Sequence, residues 1–291
     1  MIVPALSRLR DAAFASWETS IVEAAVPDGI RVYAVGDIHG RLDLLDELLS
    51  MIAANERSWP AERAFLIFLG DYIDRGPDSA GVIDRLLSGL PDDLQPVFLR
   101  GNHEDMMQRC LGEPGLIGDW MTYGGMETLQ SYGIDLKALR YGEIDAADLS
   151  KQLQEKIPLS HRAFLNSLQV TAELGDYFFV HAGVRPGIAL DAQSLEDCLY
   201  IRGRFLDYPG DFGKIVVHGH TPADEPEVRS NRIGIDTGAF FTGRLTAVCL
   251  EGASRIFLGT RGAAEGVSRS DGPGGREGDR GAFWLARRHR Q

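Results

Sequence analysis

Short apolar runs that end in polar turns organise this chain. Residues 65–69 (FLIFL) form an unbroken apolar run that is too short for a helix, which indicates a strand buried on both faces of a sheet. The turn GDYIDRGP follows directly and carries Asp71 and Asp74. Similar runs precede polar turns at residues 31–35 (before GDIHG), 96–99 (before RGNHE), 177–180 (before HAG) and 215–217 (before HGHT).

Amphipathic helices are predicted after the first three of these strands. Residues 42–54 place their leucines on one stripe, a second helix is predicted over residues 78–87 with Asp78 as its N-cap, and a third follows RGNHE. Alternating strands and helices predict an α/β fold. In such folds the loops after the carboxyl ends of the strands usually form the functional site.

The pattern changes after residue 113. Helical segments rich in Leu, Tyr and Met occupy about residues 113–168, and we interpret them as a helical insertion that covers one side of the site. Short strands are then predicted near residues 170–174, 177–181, 215–219, 231–236, 245–250 and 254–258. Their close spacing favours antiparallel pairing.

The two ends of the chain differ from its middle. A helical pattern predicts an N-terminal helical extension over residues 1–29, and the Gly-, Ser-, Arg- and Asp-rich residues 261–291 predict a flexible, disordered tail. The domain that carries the site is therefore expected at residues 30–260.

Charge and cysteine content narrow the class of protein. The net charge is −12 with the acidic residues spread along the chain, which argues against a nucleic-acid polymer as partner. The three separated cysteines indicate reduced thiols and a cytoplasmic protein. The N-terminus lacks the apolar core of a signal peptide, and no apolar stretch approaches the roughly 20 residues of a membrane span, so no membrane partner is expected.

The side chains at the strand ends are ligands for divalent cations. A set of Asp, Asn and His without thiolates suits two hard or borderline cations. Asp71 is the candidate to bridge two ions, which in such centres lie about 3.5–4 Å apart. The alternative is that Asp71 only caps the turn after its strand. The metal interpretation is favoured by the other candidate ligands, namely Asp37, His39, Asn102, His181 and His220.

Taken together, these motifs resemble those of a known family. GDIHG, GDYIDRG, RGNHE, HAG, and HGHTP followed by IDTG are similar, in this order, to the signatures of the PPP-type metallophosphoesterases. The resemblance is in particular to small bacterial and bacteriophage serine/threonine protein phosphatases, and it covers about residues 31–250. It implies a metallophosphoesterase-type β-sandwich of mixed sheets flanked by helices, with a dinuclear metal centre at the strand ends.

The resemblance also implies roles for individual residues. Asp37 and His39 would hold the first metal, Asp71 would bridge, and the second metal would be held by Asn102, His181 and His220. His103 would be the general acid with Asp74 orienting its ring, and the phosphate would be bound by Arg75 and Arg202. His218 remains an alternative to His220, and Arg204 an alternative to Arg202. Glu104 is left outside the predicted site because it could simply cap the following helix.

The expected activity is that of a dinuclear-metal phosphomonoester hydrolase. The resemblance implies a serine/threonine phosphoprotein phosphatase that acts on a phosphoprotein or phosphopeptide, with in-line attack by a metal-bound hydroxide. Mn²⁺ is the expected metal, with Fe and Zn as alternatives. One alternative function is hydrolysis of diadenosine tetraphosphate or another small nucleotide. A second alternative is a non-catalytic binding module.

Aromatic residues are expected around the mouth of the site. The helical insertion at 113–168 carries Trp120 and Tyr123, and the segment 237–244 carries Phe240 and Phe241. We expect all four rings to be exposed, where they could stack on a nucleotide base.

Overall fold

The computed structural model describes residues 24–137, 141 and 144–261. Residues 1–23 of the extension predicted over 1–29 lie outside the described residues, and residues 24–29 form no helix. All but residue 261 of the tail predicted over 261–291 lies outside them as well. In chain order, the strands are β1 (Ile30–Val35), β2 (Arg63–Phe68), β3 (Leu94–Phe98), β4 (Thr171–Leu174), β5 (Tyr177–Val180), β6 (Ile215–His218), β7 (Glu227–Val228), β8 (Arg232–Gly234), β9 (Thr246–Glu251) and β10 (Ser254–Gly259).

Helices connect and cover these strands. Their bounds are Leu42–Ser58, Ser79–Ser88, Asn102–Gly112, Ile117–Trp120, Met126–Ser131, Ala146–Lys156, Leu159–Ser167, Leu195–Tyr200, Gly203–Leu206 and Ala239–Thr242. A π-helical turn spans Met121–Gly125, and single 3₁₀ turns span Pro114–Leu116 and Leu190–Ala192. Among the described residues, no helix combines the length and the apolar character needed to cross a bilayer.

The strands form two five-stranded sheets of mixed direction. The first sheet has the order β10-β9-β1-β2-β3, and the second has the order β4-β5-β6-β8-β7. In the first sheet β1, β2 and β3 are parallel, while β9 and β10 are antiparallel to their neighbours. Pro96 is tolerated within β3 because this strand is at the edge of its sheet. The predicted mixed-sheet sandwich flanked by helices is confirmed.

The antiparallel pairing expected for all later strands is wrong in part. β4–β5, β7–β8 and β9–β10 are antiparallel, but β5 pairs parallel with β6, and β6 pairs parallel with β8. Parallel neighbours need a crossover of a dozen or more residues, and residues 181–214 provide one between β5 and β6. Strand length alone therefore did not predict the direction of these strands.

The core lies in layers on both faces of the sheets. Alternate residues of β1 point to opposite faces, so Val32 and Ala34 pack between the two sheets while Tyr33 and Val35 pack under helices. The helix Leu42–Ser58 buries its leucine stripe against this outer face. The outer face of the second sheet buries a smaller cluster with the Leu195–Tyr200 and Gly203–Leu206 helices.

This architecture brings the predicted polar turns to one edge of the sandwich. The backbone N–H groups of Ile38 and His39 both donate to the Asp71 carbonyl, at 3.0 and 2.8 Å. In the second sheet the N–H of Gly219 donates to the His181 carbonyl at 2.8 Å. The turns therefore hold each other directly through main-chain hydrogen bonds.

Candidate metal centre

The turns at this edge are held in an uncommon backbone conformation. Within the described residues, the non-glycine residues with positive φ are His39, Asp71, Asp74, Arg75 and His220, with φ between 49° and 72°. Such conformations cost on the order of 1–3 kcal/mol each and persist only where the surrounding structure enforces them. All of them are residues for which the sequence predicted a functional role.

Glu104 supports the most important of these turns. Its carboxylate is fully buried and accepts hydrogen bonds from the N–H groups of Asp71, Tyr72, Ile73 and Gly101 at 2.8–3.3 Å. Burial and the nearby charge of Asp71 raise the pKa of Glu104 to about 8. Sequence reasoning left this residue outside the site. Its position three residues after Gly101, the spacing of a capping box, was the available signal.

Asp71 lies at the centre of a group of imidazoles. Its Oδ2 is 3.4 Å from His181 Nε2, 3.6 Å from His39 Nε2 and 3.9 Å from His103 Nε2. Burial alone would raise the pKa of Asp71, but the surrounding histidines outweigh it and hold the pKa well below its usual range. Two overlapping sets of side chains could each hold an ion, and Asp71 belongs to both: His39, Asp71 and His103, and Asp71, His181 and His220.

The hydrogen bonds of His181 show that its site-facing nitrogen carries a lone pair. Its Nδ1 donates to the Leu69 carbonyl at 2.9 Å, so Nε2 of the neutral ring is an acceptor. Nε2 lies 2.9 Å from Asn102 Oδ1 and 3.1 Å from His220 Nδ1. Nε2 and Asn102 Oδ1 both accept protons, and two such atoms repel each other at 2.9 Å unless a cation lies between them. The donor set therefore fits a bound divalent cation.

His39 has the same arrangement on the other side of Asp71. Its Nδ1 donates to the Ile73 carbonyl at 2.9 Å, and its Nε2 accepts from Arg75 Nη1 at 2.7 Å. Burial lowers the pKa of His39 to about 3 and that of His220 to about 2. Both rings are thus held neutral, which is the form that binds metal ions.

Asp37 lies beside this group and is linked to it by the backbone. Its carboxylate accepts from the N–H of His220 at 3.0 and 3.2 Å, and a Cβ atom at Gly219 would collide with it. Burial, Asp236 and Asp71 raise its pKa well above the usual range, and the opposing charge of Arg75 does not offset these buried carboxylates in full. Asp236, in the IDTG motif, was not predicted as a site residue, although the motif and the strand before it were recognised in the sequence.

The structure distinguishes the two candidate histidines after β6. The ring of His218 packs edge-on against Phe205, with centroids 4.9 Å apart, and its Nδ1 donates to the Gly219 carbonyl at 3.0 Å. His220, in contrast, faces His181. The geometry thus brings His220 to the cluster and leaves His218 in the core behind it.

The Nδ1 of His103 faces a carboxylate, whereas the Nδ1 atoms of His39 and His181 face backbone carbonyls. His103 Nδ1 is 2.6 Å from Asp74 Oδ2. Burial would lower the pKa of His103, but Asp71 and the hydrogen bond to Asp74 outweigh it and raise the pKa. A protonated imidazole cannot bind a metal ion, so this contact suits a proton donor better than a ligand.

Asp74 is itself held by two side chains that the sequence did not indicate. Trp120 Nε1 donates to its Oδ2 at 2.8 Å, and Thr128 Oγ1 donates to its Oδ1 at 2.6 Å.

The expectation that Trp120 is exposed is wrong, because the indole is 0% exposed and packs in the core while its N–H reaches Asp74. Tyr123, Phe240 and Phe241 are exposed as expected, and Phe240 is the least exposed of them at 36%.

A cavity of about 390 Å³ opens over these residues. It is lined by Arg75, Asn102, His103, Met106, Trp120, Tyr123, Tyr200, Arg202 and His220. Arg202 donates from Nη1 to Thr221 Oγ1 at 3.1 Å. Arg204 does not line this cavity, and its charge acts instead on Asp197, whose pKa is lowered mainly by Arg185. The structure therefore places Arg202, and not Arg204, beside the candidate ligands.

Known proteins share the sequence pattern and the fold of this chain. The sequence profile of the calcineurin-like phosphoesterases matches residues 30–230. The bis(5′-nucleosyl)-tetraphosphatase (asymmetrical) PrpE of Oceanobacillus iheyensis is 26% identical over 237 residues, covering 75% of this chain and 88% of the relative. PrpE of Halalkalibacterium halodurans is 29% identical over 231 residues, covering 74% and 87%. A crystal structure provisionally named a diadenosine tetraphosphatase shares the fold, with a TM-score of 0.55, 22% identity and coverage of 80% of this chain and 94% of that chain.

The contrast between His220 and His218 can be tested by metal content. We expect His220→Ala to retain about one cation fewer per chain than the unmodified protein, because it loses a ligand nitrogen. His218→Ala, the matched control, should retain the full content. Elemental analysis of dialysed protein, with circular dichroism to verify folding, measures both. A full metal content in His220→Ala together with a loss in His218→Ala would show that the wrong histidine was chosen.

Proposed function

Since the chain belongs to the calcineurin-like phosphoesterase family, we propose that this metallophosphoesterase hydrolyses a phosphoanhydride bond of dinucleoside polyphosphates such as bis(5′-nucleosyl) tetraphosphate. The main support is that the site continues beyond Arg75, the residue expected to bind phosphate. Arg75 lines the 390 Å³ cavity and also a groove of about 1090 Å³ on its other side. A phosphomonoester of a small side chain would need the first of these spaces alone.

The relatives support the same substrate class. The two PrpE proteins are named as asymmetrical tetraphosphatases, and each is matched over 87–88% of its own length. A dinucleotide has a nucleoside on each side of its phosphate chain. A site that opens on both sides of Arg75 suits such a molecule.

The residues of the site supply distinct parts of the proposed reaction. Asp37, His39, Asp71, Asn102, His181 and His220 would hold two divalent cations, and these would act as Lewis acids that neutralise charge on the phosphoryl group. Arg75 and Arg202 bind the phosphoryl oxygens, for which a forked guanidinium is well shaped. We propose Mn²⁺ as the ion, with Fe and Zn as alternatives, because this ligand set accepts all three.

Proton transfer falls to His103 in this proposal. Water oxygen forms a new bond to phosphorus and releases one proton to solvent, the bridging P–O bond breaks, and the proton on His103 Nε2 passes to the departing oxygen. Asp74 fixes the ring through Nδ1 and stabilises its charge. Proton transfer from His103 to the departing oxygen therefore depends on Asp74 being held in place.

A phosphoprotein phosphatase is the second candidate, and it was the first expectation from sequence. The 390 Å³ cavity with its two arginines favours it, because these suffice for one phosphoryl group on a peptide side chain. A non-catalytic binding module is disfavoured by the His103–Asp74 pair, which mere binding would not require.

The cysteines of the described residues are free and buried, which suits a reducing compartment such as the cytoplasm.

A substrate panel tests the proposal. With Mn²⁺-reconstituted protein we expect kcat/KM for diadenosine tetraphosphate to exceed that for a phosphoserine peptide by about tenfold or more, the equivalent of one good extra contact. Anion-exchange chromatography should show unequal products, a mononucleotide and a nucleoside triphosphate. A higher kcat/KM for the phosphopeptide would instead support the second candidate.

The support that Thr128 gives to Asp74 predicts a leaving-group effect. Thr128→Val removes the hydroxyl donor, so kcat for an alkyl phosphate should fall by about tenfold or more, with the roughly 10²–10⁴-fold contribution of a general acid as the upper bound. Hydrolysis of p-nitrophenyl phosphate, whose leaving group needs little protonation, should fall much less. Thr128→Ser keeps the hydroxyl and should retain activity on both esters. An equal fall on both esters would point to a purely structural role for Thr128.

A further inference from the structure

The groove on the far side of Arg75 has an aromatic wall, and we call it the aromatic groove. It is lined by Gly40, Arg41, Leu42, Asp43, Asp46, Arg75, Gly76, Pro77, Asp78, Phe240, Phe241, Thr242, Gly243 and Arg261. Its volume of about 1090 Å³ is at the upper end of the roughly 300–1,000 Å³ typical of small-molecule sites. The groove is therefore large enough for a ligand fragment the size of a nucleoside.

Two phenylalanines lead from the candidate metal ligands into this groove. The ring of Phe240 lies edge-on to His39 with centroids 5.6 Å apart, and the Arg75 guanidinium lies 5.1 Å from its centroid. Phe241 follows, with its ring 4.9 Å from that of Phe240. If the phosphate of a ligand meets Arg75, the group attached to that phosphate can therefore extend past Phe240 to Phe241.

Phe241 is fixed in place although it is exposed. Gly238 has φ 70°, and a Cβ atom there would collide with the Phe241 ring, so the ring rests on this glycine. Thr242 Oγ1 ties the short helix down by donating to the carbonyls of Thr237 and Gly238 at 2.8 and 2.9 Å. The Phe241 side chain remains 61% exposed. A ring held from behind and open in front loses little entropy when a planar group stacks on it.

The carboxylates of the groove can serve the sugar of a nucleoside. Asp43 pairs with Arg41 at 2.7 Å, Asp46 pairs with Arg85 at 2.6 Å, and Asp78 accepts from the N–H of Gly81 at 2.8 Å. Arg41, Arg75 and Arg261 line the groove as well, so guanidinium groups balance these carboxylates in number. The carboxylates retain lone pairs that can accept hydrogen bonds from hydroxyl groups such as those of ribose.

From these observations, we propose that the aromatic groove is a nucleoside-binding subsite. One nucleobase of the substrate stacks on Phe241, its ribose faces the carboxylates of Asp43, Asp46 and Asp78, and its phosphate meets Arg75. The subsite rests on the proposed hydrolysis of dinucleotides for its role, and it gives that reaction a contact that a phosphopeptide cannot make. Base–aromatic stacking contributes enough to change affinity by roughly 5- to 150-fold.

Kinetics on two substrates test this subsite. We measure the ratio of kcat/KM for diadenosine tetraphosphate to that for p-nitrophenyl phosphate, which has no nucleoside, using the full chain with Mn²⁺. In Phe241→Ala this ratio should fall by roughly 5- to 150-fold. Phe241→Trp, which keeps an aromatic face, should retain the ratio, while Phe241→Leu, which keeps apolar bulk alone, should lower it. An unchanged ratio in Phe241→Ala, or retention in Phe241→Leu, would overturn the subsite.

A binding measurement separates the subsite from the proposed reaction. Calorimetric titration of the Mn²⁺-loaded protein with adenosine monophosphate and with inorganic phosphate needs no turnover. We expect tighter binding of the nucleotide, and loss of that advantage in Phe241→Ala. If this holds while diadenosine tetraphosphate is not hydrolysed, the subsite stands and the proposed function fails. If the nucleotide has no advantage over inorganic phosphate, the subsite is overturned, whatever the protein hydrolyses.

Discussion

Burial of negative charge at the meeting point of two sheets is the constraint on which the site depends. Asp71 is 2% exposed, and Asp37 and Asp236 are nearly as buried beside it. Carboxylates in such a place destabilise the fold unless hydrogen bonds or cations offset their charge. Burial lowers the pKa of His39, His181 and His220, so among the imidazoles around Asp71 His103 alone is placed to carry a proton, and one such charge does not offset the buried carboxylates in full. Divalent cations would supply the remaining positive charge, and the centre would then have a role in stability as well as in chemistry.

Asp71 also organises the backbone around it. The Asp71 carbonyl accepts from two N–H groups of the turn after β1, its own N–H donates to Glu104, and its carboxylate accepts from the N–H of His103 at 3.2 Å. These bonds hold the turns in conformations with positive φ that the side chains alone would not favour. Strain at the site is thus offset by a network that extends through Glu104 into the helix Asn102–Gly112.

Much of the site could be predicted from sequence because its residues directly follow strands. An apolar run and a polar turn are local features, so Asp37, His39 and His181 were found at their strand ends without knowledge of the fold. Contacts between distant segments could not be found in this way. Trp120 reaches Asp74 from a helix 46 residues away along the chain, and no local pattern distinguishes a buried indole with a bonded N–H from an exposed one. Likewise, the length of β5 and β6 did not reveal that they pair in parallel, because the crossover between them sets their direction.

The central claim is that Asp71 bridges two cations at this edge of the sandwich. The most direct measurement is anomalous X-ray diffraction from crystals of the protein grown with Mn²⁺. The account predicts two anomalous peaks per chain, about 3.5–4 Å apart, with the Asp71 carboxylate between them and the imidazoles of His39, His181 and His220 around them. A single peak away from Asp71, or no peak at this edge in crystals of folded protein, would contradict it.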